Sequence, residues 1–268
     1  MAITPVMNAT YDLIGLNYNA SRNADPQIFE RLLYHLSPAT NGLYLDIGCG
    51  TGNYTKEFAK RDFQFIGVDP SMTMLSVANA KTSNVTWQQG SAETISLPSE
   101  TIDGVIATLT IHHWDNLEQG FKRLSEVLKP EGKIVIFTSD PAQMKGYWLC
   151  HYFPEMMEDS ALQMPTLELI EQLLLKCGLT LVTIEKYFID PNLQDLFLYS
   201  GKHHPGRYLD PNFRRGISSF SSLANETEVK EGLLQLEADI ESGQIDEIIS
   251  KYENNLGDYL FISVKKIV

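Results

Sequence analysis

Leu45-Asp46-Ile47-Gly48-Cys49-Gly50-Thr51-Gly52 is a glycine-rich turn between an apolar run at residues 43–47 and a helical stretch near residues 53–61. Glycines let a backbone turn sharply and approach a ligand with no Cβ in the way. The amino terminus of the following helix supplies free N–H groups and the positive end of the helix dipole. The segment therefore predicts a strand, a turn and a helix that together form a binding site.

Strands and helices alternate from this turn up to residue 138. The predicted strands are apolar runs bounded by Gly, Pro, Asp or Ser, at residues 43–47, 63–68, 85–88, 102–109 and 133–138. Helices are predicted near residues 53–61, 71–81 and 116–129, and a turn at residues 129–132 ends the last of them. This alternation is typical of a parallel sheet covered by helices on both faces.

Two irregular segments interrupt the pattern, at residues 140–165 and 187–256. Between them lie a predicted helix at 166–177 and a strand at 179–186, and the second segment holds two predicted helices. We interpret residues 1–268 as one domain, with an N-terminal cap at 1–40, a ligand-binding core at 41–139, substrate lids at the two irregular segments, and a last strand at 258–264. Long segments inside a compact domain are usually functional or disordered, and apolar helical spacing favours lids here.

The composition and the net charge limit the kinds of partner that we expect the protein to bind. The chain has 268 residues, 43% of them hydrophobic, and a net charge of −13. Such an acidic protein repels nucleic acids and anionic membrane surfaces. No apolar run approaches the roughly 18 residues that would span a bilayer, so no membrane insertion is expected. The three cysteines are dispersed, which indicates neither a disulfide framework nor a zinc site, and a cytoplasmic location is expected.

The acidic residues around the turn indicate which ligand it holds. Asp69 ends the second predicted strand, where a carboxylate can accept hydrogen bonds from a ribose diol. The third glycine comes one residue earlier than in the dinucleotide fingerprint, and Asn53 occupies the expected place. Asp46 would repel a pyrophosphate but suits the ammonium and sulfonium of S-adenosylmethionine. We therefore predict S-adenosylmethionine as the cofactor and no metal.

The sequence resembles the class I S-adenosylmethionine-dependent methyltransferases, in particular the small-molecule "type 11" subgroup. The resemblance is close over residues 40–138 and loose at the final strand. The resemblance implies a Rossmann-like α/β fold, with a seven-stranded, mostly parallel sheet, helices on both faces, an antiparallel last strand and helical lid insertions. It is carried by residues 45–52 and by Gly67-Val68-Asp69-Pro70-Ser71, Gly90-Ser91-Ala92-Glu93, Ile111-His112-His113-Trp114 and Leu128-Lys129-Pro130-Glu131-Gly132.

The resemblance also implies the cofactor contacts at the turn. The backbone around Gly48 and Gly50 and the carboxylate of Asp46 would hold the methionine end, and Asp69 would hold the ribose. In similar proteins a Tyr and an Arg from the leader fold over the cofactor, which suggests Tyr18 here. The Arg, Arg22 in this chain, pairs with the methionine carboxylate, a role that suits a bidentate guanidinium. A solvated arginine is the alternative.

Five further residues complete the cofactor site that the resemblance implies. Pro70 would line the adenine, and Ala92 would offer its backbone N–H to the ring. Ser91 stands where relatives often have Asp, so its hydroxyl would replace the carboxylate that accepts from the adenine amino group. Thr108 and Leu109, at the end of the fourth strand, would face the site of methyl transfer.

The candidates for acceptor chemistry are less specific. His112 and His113 follow the fourth strand, at the sheet edge where ligands bind in open α/β folds. An imidazole there could take a proton from a hydroxyl or amine acceptor, and a structural role is the alternative.

Two features of the irregular segments are candidates for acceptor binding. Arg214 and Arg215 belong to a basic segment at residues 202–215, which is either a subsite for an anionic acceptor or a solvated loop. Trp148 belongs to an aromatic cluster that forms either an acceptor pocket or the core of the lid.

These observations predict methyl transfer from S-adenosylmethionine to a small-molecule acceptor, driven mainly by alignment of cofactor and acceptor. An anionic acceptor is one candidate. One alternative is a non-catalytic S-adenosylmethionine-binding module. A nicotinamide-dependent oxidoreductase is disfavoured by the glycine spacing and by the lack of a Tyr-x-x-x-Lys pair after the fourth strand.

Overall fold

The computed structural model describes residues 22–82 and 84–267. Within these residues, strands assemble into one seven-stranded sheet. The strands are β1 (Leu43–Ile47), β2 (Gln64–Asp69), β3 (Thr86–Gln89), β4 (Ile102–Thr108), β5 (Leu128–Thr138), β6 (Leu179–Tyr187) and β7 (Tyr259–Lys266). Their order across the sheet is β3-β2-β1-β4-β5-β7-β6, and β7 runs antiparallel to both of its neighbours. The predicted Rossmann-like sheet with an antiparallel last strand is confirmed.

Helices connect the strands on both faces of the sheet. The first four are α1 (Pro26–Leu36), α2 (Asn53–Ala59), α3 (Met72–Lys81) and α4 (Leu117–Val127). The later ones are α5 (Pro141–Lys145), α6 (Pro154–Gln163), α7 (Leu167–Lys176), α8 (Pro211–Arg215), α9 (Ser218–Ser222), α10 (Glu226–Ser242) and α11 (Gln244–Lys251). Short 3₁₀ helices occupy Ile111–His113, Trp148–His151, Leu198–Gly201 and Pro205–Leu209. No helix in the described ranges is long and apolar enough to cross a membrane.

Alternate residues of the central strands feed two separate hydrophobic cores. Val135 and Phe137 of β5 point into a core shared with α1, α2 and both irregular segments. Ile134 and Ile136 of the same strand point into a second core shared with α4 and α7. This alternation follows from the period-2 geometry of a strand. The irregular segments therefore cover one face of the sheet only.

Helix α1 begins at a strong amino-terminal cap. The buried carboxylate of Asp25 accepts hydrogen bonds from the amides of Gln27 and Ile28, and Pro26 occupies the first turn, where its missing N–H costs nothing. His35 on the buried face of α1 joins Glu185 on β6 to Ser263 on β7, at 2.9 Å each. The helix is thus anchored to two strands that come much later in the sequence.

The first irregular segment, residues 140–165, contains helices that the sequence reading did not predict. Both α5 and α6 begin with a proline, Pro141 and Pro154. A capping box between Asp140 and Gln143 also caps the amino terminus of α5. A proline at the first helical position is compatible with a helix because that N–H has no intrahelical partner. These prolines start helices rather than break them.

The second irregular segment, residues 187–256, holds the two predicted helices as α10 and α11. Short helices also form between Leu198 and Ser222. Each of them has too few residues to show a helical periodicity in the sequence. At the end of α4 the structure also differs in detail, because β5 begins at Leu128 rather than at residue 133. The predicted turn at 129–132 lies inside the strand, between the pairs Ile102–Leu128 and Gly104–Lys133.

Gly232 on α10 fixes how closely the two irregular segments pack. A Cβ added there would lie 2.3 Å from the carbonyl oxygen of Tyr152 and 2.7 Å from the ring of Phe153. We expect Gly232→Ala to destabilise the protein by about 1–3 kcal/mol through overpacking. Helix propensity alone would give the opposite sign, a gain of about 1 kcal/mol.

Urea-induced unfolding measures this difference, and Glu231→Ala on the exposed neighbouring position serves as the control. A Gly232→Ala variant as stable as the Glu231→Ala variant would contradict the close packing of the two segments.

Candidate functional site

The chain reverses its direction of travel across the sheet between β1 and β4. From β1 it proceeds outward through β2 to β3, and it then crosses back to place β4 on the other side of β1. The loops that leave β1 and β4 therefore diverge and open a crevice at the carboxyl edge of the sheet, where open α/β folds bind ligands. The glycine-rich turn follows β1 at this point.

The backbone of the turn adopts conformations that favour glycine. Gly48 and Gly50 have φ values of +70° and +53°, and the amides of Gly48 and Cys49 both donate to the carbonyl of Val68 at the end of β2. A Cβ at Gly48 would clash with Thr110, whereas a Cβ at Gly50 would meet no atom of the described residues within 4 Å. The turn is thus held against the sheet on one side and borders open space at Gly50.

Asp69 is connected directly to this turn. Its Oδ2 accepts a hydrogen bond from the amide of Gly50 at 2.8 Å, and its Oδ1 accepts one from the amide of Ser71 at 2.9 Å. Burial raises the pKa of the Asp69 carboxyl, while the two amide hydrogen bonds act in the opposite direction. Each carboxylate oxygen keeps a second lone pair, so Asp69 can still accept from a ligand.

Asp46 is the second buried carboxyl group of the site. Its Oδ2 accepts from the Thr55 hydroxyl on α2, and only 3% of the residue is exposed. Burial raises its pKa to about 7; the Thr55 hydrogen bond lowers it and the neighbouring Asp69 carboxylate raises it further. Two carboxyl groups with raised pKa values in one crevice indicate a site that is completed by a positive charge.

A central cavity of about 800 Å³ lies over the glycine-rich turn. The structure brings eight of the predicted cofactor residues into its wall: Arg22, Asp46, Gly48, Gly50, Asp69, Pro70, Thr108 and Leu109. Tyr18 lies outside the described residues. The Thr108 hydroxyl is buried in this wall without a hydrogen-bond partner among the residues described. An unsatisfied buried hydroxyl costs about 1–3 kcal/mol, a cost that a ligand atom at this position would remove.

A strand-edge cavity adjoins the central one and contains the remaining predicted cofactor residues. Ser91 and Ala92 line it together with Pro70, and it shares Gly48, Pro70, Thr110 and His113 with the central cavity. The Ser91 hydroxyl lies 3.1 Å from the Thr94 hydroxyl, so it is oriented by a neighbour. The two cavities form one elongated cleft along the carboxyl edge of the sheet.

A third space, the insertion cavity, continues the cleft beneath the irregular segments. Together with its opening to solvent it measures about 700 Å³, and it shares Arg22, Leu109 and His113 with the central cavity. The other described residues of its wall come from the sheet edge and from both irregular segments, namely His112, Thr138, Ser139, Met144, Met164, Phe197, Leu198, Gly216, Ser218, Ser219 and Tyr259. The position of this cavity is suited to a second ligand.

Both predicted histidines border the insertion cavity, and both are neutral at pH 7. Burial lowers the pKa of His113 to about 4, and burial together with the neighbouring His113 lowers the pKa of His112 well below its usual value. The two ring centroids are 3.9 Å apart. Nδ1 of His112 is buried and has no hydrogen-bond partner in the described part of the chain.

Asp195 and Tyr54 belong to the site but were not predicted. Asp195, from the second irregular segment, forms a salt bridge with the Arg22 guanidinium and accepts from the Tyr54 hydroxyl at 3.1 Å. Only 1% of Asp195 is exposed. Tyr54 lies two residues after the glycine-rich turn, a position that gives a weak sequence signal. Asp195 follows no motif, and its role arises only when residue 195 folds back onto residue 22.

The three residues predicted for acceptor binding, Trp148, Arg214 and Arg215, are not brought to the cleft. Trp148 is 2% exposed and donates to the carbonyl of Lys202 inside the core of the irregular segments. Arg214 donates to the carbonyl of Tyr208, and Arg215 is exposed. None of the three lies in the described wall of the insertion cavity. The acceptor-binding roles of these three residues stay predictions.

Comparison with known proteins shows similarity to methyltransferases. A family model described as a methyltransferase domain matches residues 45–136. An uncharacterized methyltransferase of Oceanobacillus iheyensis is 32% identical over 111 residues, which are 40% of this chain and 51% of that protein. A Saccharomyces cerevisiae protein named "probable S-adenosylmethionine-dependent methyltransferase" is 30% identical over 139 residues, 49% of this chain and 47% of its own. The chain therefore aligns with about half the length of these two curated relatives.

A solved structure from Anabaena variabilis matches over nearly the whole of both chains. It is described as a "putative methyltransferase from antibiotic biosynthesis pathway" and is 33% identical, with a TM-score of 0.81 over 91% of this chain and 98% of the other. The sheet, the glycine-rich turn with its two acids, and this full-length similarity lead to one conclusion. The chain belongs to the family of S-adenosylmethionine-dependent methyltransferases.

Proposed function

We propose that this protein transfers a methyl group from S-adenosylmethionine to a small-molecule acceptor bound in the insertion cavity. The observation that carries the proposal is the pair Asp46 and Asp69, two buried carboxyl groups that border one cavity at the turn after β1. An ammonium and a sulfonium offer the positive charge that these groups need. The open space at Gly50 and the unpartnered Thr108 hydroxyl also fit a ligand of this kind.

Each part of the cleft has a role in holding the cofactor. Asp69, fixed by the amides of Gly50 and Ser71, would accept from the ribose hydroxyls, and Asp46 would face the ammonium. Pro70 and Ala92 line the strand-edge cavity, where the adenine would lie. Arg22, oriented by Asp195, would meet the methionine carboxylate with the part of its guanidinium that faces the central cavity.

The residues around the insertion cavity would align the acceptor. When bound, S-adenosylmethionine supplies a methyl group on a positively charged sulfur, which a nucleophile can accept without a redox partner. Leu109 and His113 border both cavities and mark the place where the two ligands would meet. Proximity and alignment can supply much of the rate enhancement in such a reaction. The neutral imidazole of His112 or His113 could also accept the proton of a hydroxyl or amine acceptor.

We propose the irregular segments as lids over this reaction site, with residues 1–40 as a cap and all parts in one domain. Their residues Met144, Met164, Phe197 and Ser219 line the insertion cavity, so they would exclude water from an acceptor. A non-catalytic S-adenosylmethionine-binding module would keep the central cavity without using this second space. Methyl turnover from S-adenosylmethionine on a library of metabolites separates the two functions, since the binding module would bind the cofactor without turnover.

The ribose role of Asp69 can be tested by Asp69→Asn. This change removes the negative charge, so the affinity for S-adenosylhomocysteine should fall at least tenfold, or about 1.4 kcal/mol. Isothermal titration calorimetry measures the loss. Asp103→Asn is the matched control, because Asp103 also accepts from a backbone amide, that of Leu43, and does not border the cleft. Unchanged affinity in a folded Asp69→Asn variant would exclude the assignment.

The open space at Gly50 can be tested by a pair of valine substitutions. Gly50 and Gly243 both have positive φ values, and a Cβ at either would meet no atom within 4 Å. Both variants should therefore suffer similar backbone strain, about 1–3 kcal/mol. Only Gly50→Val should abolish binding of S-adenosylhomocysteine, because its side chain would occupy the ligand space. Equal affinity in the two variants would sink the cavity assignment.

The raised pKa of Asp46 predicts a pH-dependent affinity. Below its pKa of about 7 the carboxyl group is protonated and loses its attraction for an ammonium. Affinity for S-adenosylhomocysteine should therefore fall about tenfold from pH 8 to pH 6, with proton release on binding at pH 6. Asp69, whose pKa is also raised, contributes in the same direction. The Cys49 thiol stays neutral, because its pKa is raised well above its ordinary value.

Calorimetry in two buffers of different ionisation enthalpy measures both the affinity and the proton release. Asp46→Asn should flatten the pH profile. Thr55→Val removes a hydrogen bond that lowers the Asp46 pKa, so it should move the midpoint to higher pH. A wild-type profile that is flat between pH 6 and pH 8 would rule out Asp46 as the ammonium partner.

A further inference from the structure

Among the residues that the structure describes, the wall of the insertion cavity carries no uncompensated formal charge. Its described residues include no carboxylate and no lysine. The guanidinium of Arg22 reaches this wall, but it forms a salt bridge with Asp195, whose side chain is 2% exposed. A methionine carboxylate bound to Arg22 in the central cavity would neutralise it further. An ionic acceptor would therefore find no opposite charge that is not already matched.

Most polar groups of the described wall are uncharged and already form hydrogen bonds within the protein. At pH 7 both imidazoles are uncharged, because burial lowers their pKa values. The Ser139 hydroxyl donates to the carbonyl of Asp258 at 3.3 Å, and the Ser219 hydroxyl lies 2.9 Å from that of Ser160. The Nδ1 of His112 differs, since it is buried without a described partner. The wall thus offers a few hydrogen bonds but no ionic contact.

Most of the remaining wall is apolar. It consists of Leu109, Met144, Met164, Phe197, Leu198 and the ring of Tyr259. An apolar lining with a few polar groups is typical of sites that bind small molecules. Two methionines let such a wall adapt to the shape of its ligand, because their side chains are unbranched and flexible.

The basic segment does not change this balance. Arg214 is directed to the carbonyl of Tyr208, Lys202 forms a salt bridge with Asp258, and Arg215 is exposed. The net charge of −13 also lowers the local concentration of anions around the protein. An anionic acceptor, which the sequence suggested, therefore has no built site in this cavity.

We propose that the acceptor is an uncharged molecule with a largely apolar body, bound between the two irregular segments. This proposal rests on the proposed function, because it assigns the second ligand of the same cleft. An ion entering the cavity would lose its hydration with no opposite charge to replace it, whereas an apolar body would gain from burial. The specificity of the enzyme would thus come from shape and desolvation.

Three probes with the same aromatic body test the charge preference. They are 1-naphthol, which is uncharged at pH 7, 1-naphthoate, an anion, and 1-naphthylmethylammonium, a cation. Fluorescence titration with the full chain, in saturating S-adenosylhomocysteine, gives the three affinities. We expect 1-naphthol to bind at least tenfold more tightly than either ion.

A charge placed in the wall should reverse this order and locate the probe. Met164 directly follows α6 and is a half-buried residue of the cavity wall. Leu162, two residues earlier in α6, is 72% exposed. Met164→Lys should raise the affinity for 1-naphthoate at least fivefold and lower that for 1-naphthylmethylammonium. Leu162→Lys adds the same charge outside the wall and should leave both affinities unchanged.

The outcomes separate this proposal from the one on which it rests. If calorimetry shows no binding of S-adenosylhomocysteine, the proposed function fails and the acceptor assignment fails with it. If S-adenosylhomocysteine binds, the acceptor assignment alone is overturned by equal or tighter binding of either ion, by no binding of 1-naphthol up to its solubility limit, or by equal effects of the two lysine variants.

Discussion

The hydrogen bond from the Gly50 amide to the Asp69 carboxylate joins the two strand ends that border the central cavity. Gly50 follows β1 and Asp69 ends β2, so this contact depends on the parallel pairing of those strands, in which Asp46 faces Gly67. The positive φ of Gly50 turns its amide toward the carboxylate and leaves the opposite side of the residue open. The same contact thereby fixes the Asp69 carboxylate beside the turn, at the wall of the central cavity.

The part of the site nearest the glycine-rich turn could be predicted from the sequence because its geometry is local. Asp46, Gly48 and Gly50 are placed by a strand end and a turn, and Asp69 is placed by the end of the next strand. The sheet could be predicted for the same reason, since strand–helix alternation and the apolar runs reflect contacts within a few tens of residues. The bounds of β1 matched the prediction, residue for residue.

The acceptor side could not be predicted in this way because it depends on long-range folding. Asp195 reaches Arg22 across most of the chain, and nothing in its neighbours indicates a buried ion pair. Trp148 and Arg214 are residue types that often occur in binding sites. In the fold, however, Trp148 lies in a core and Arg214 donates to a backbone carbonyl. Composition indicates which contacts a residue can make, and only the tertiary fold decides which it makes.

The position of β7 between β5 and β6 has a consequence for the order of assembly. In the sheet formed by the described residues, β6 is an edge strand and pairs with β7 alone. It therefore has no partner strand until residues 259–266 have been synthesised. During synthesis the ribosome must first add all of residues 188–258, and until then Leu179 and Tyr187, which the finished fold buries, lack their pairing with β7. Non-local pairing of this kind slows folding and leaves a strand edge open to aggregation. The interval between the synthesis of β6 and that of β7 is therefore the stage at which this edge of the sheet is incomplete.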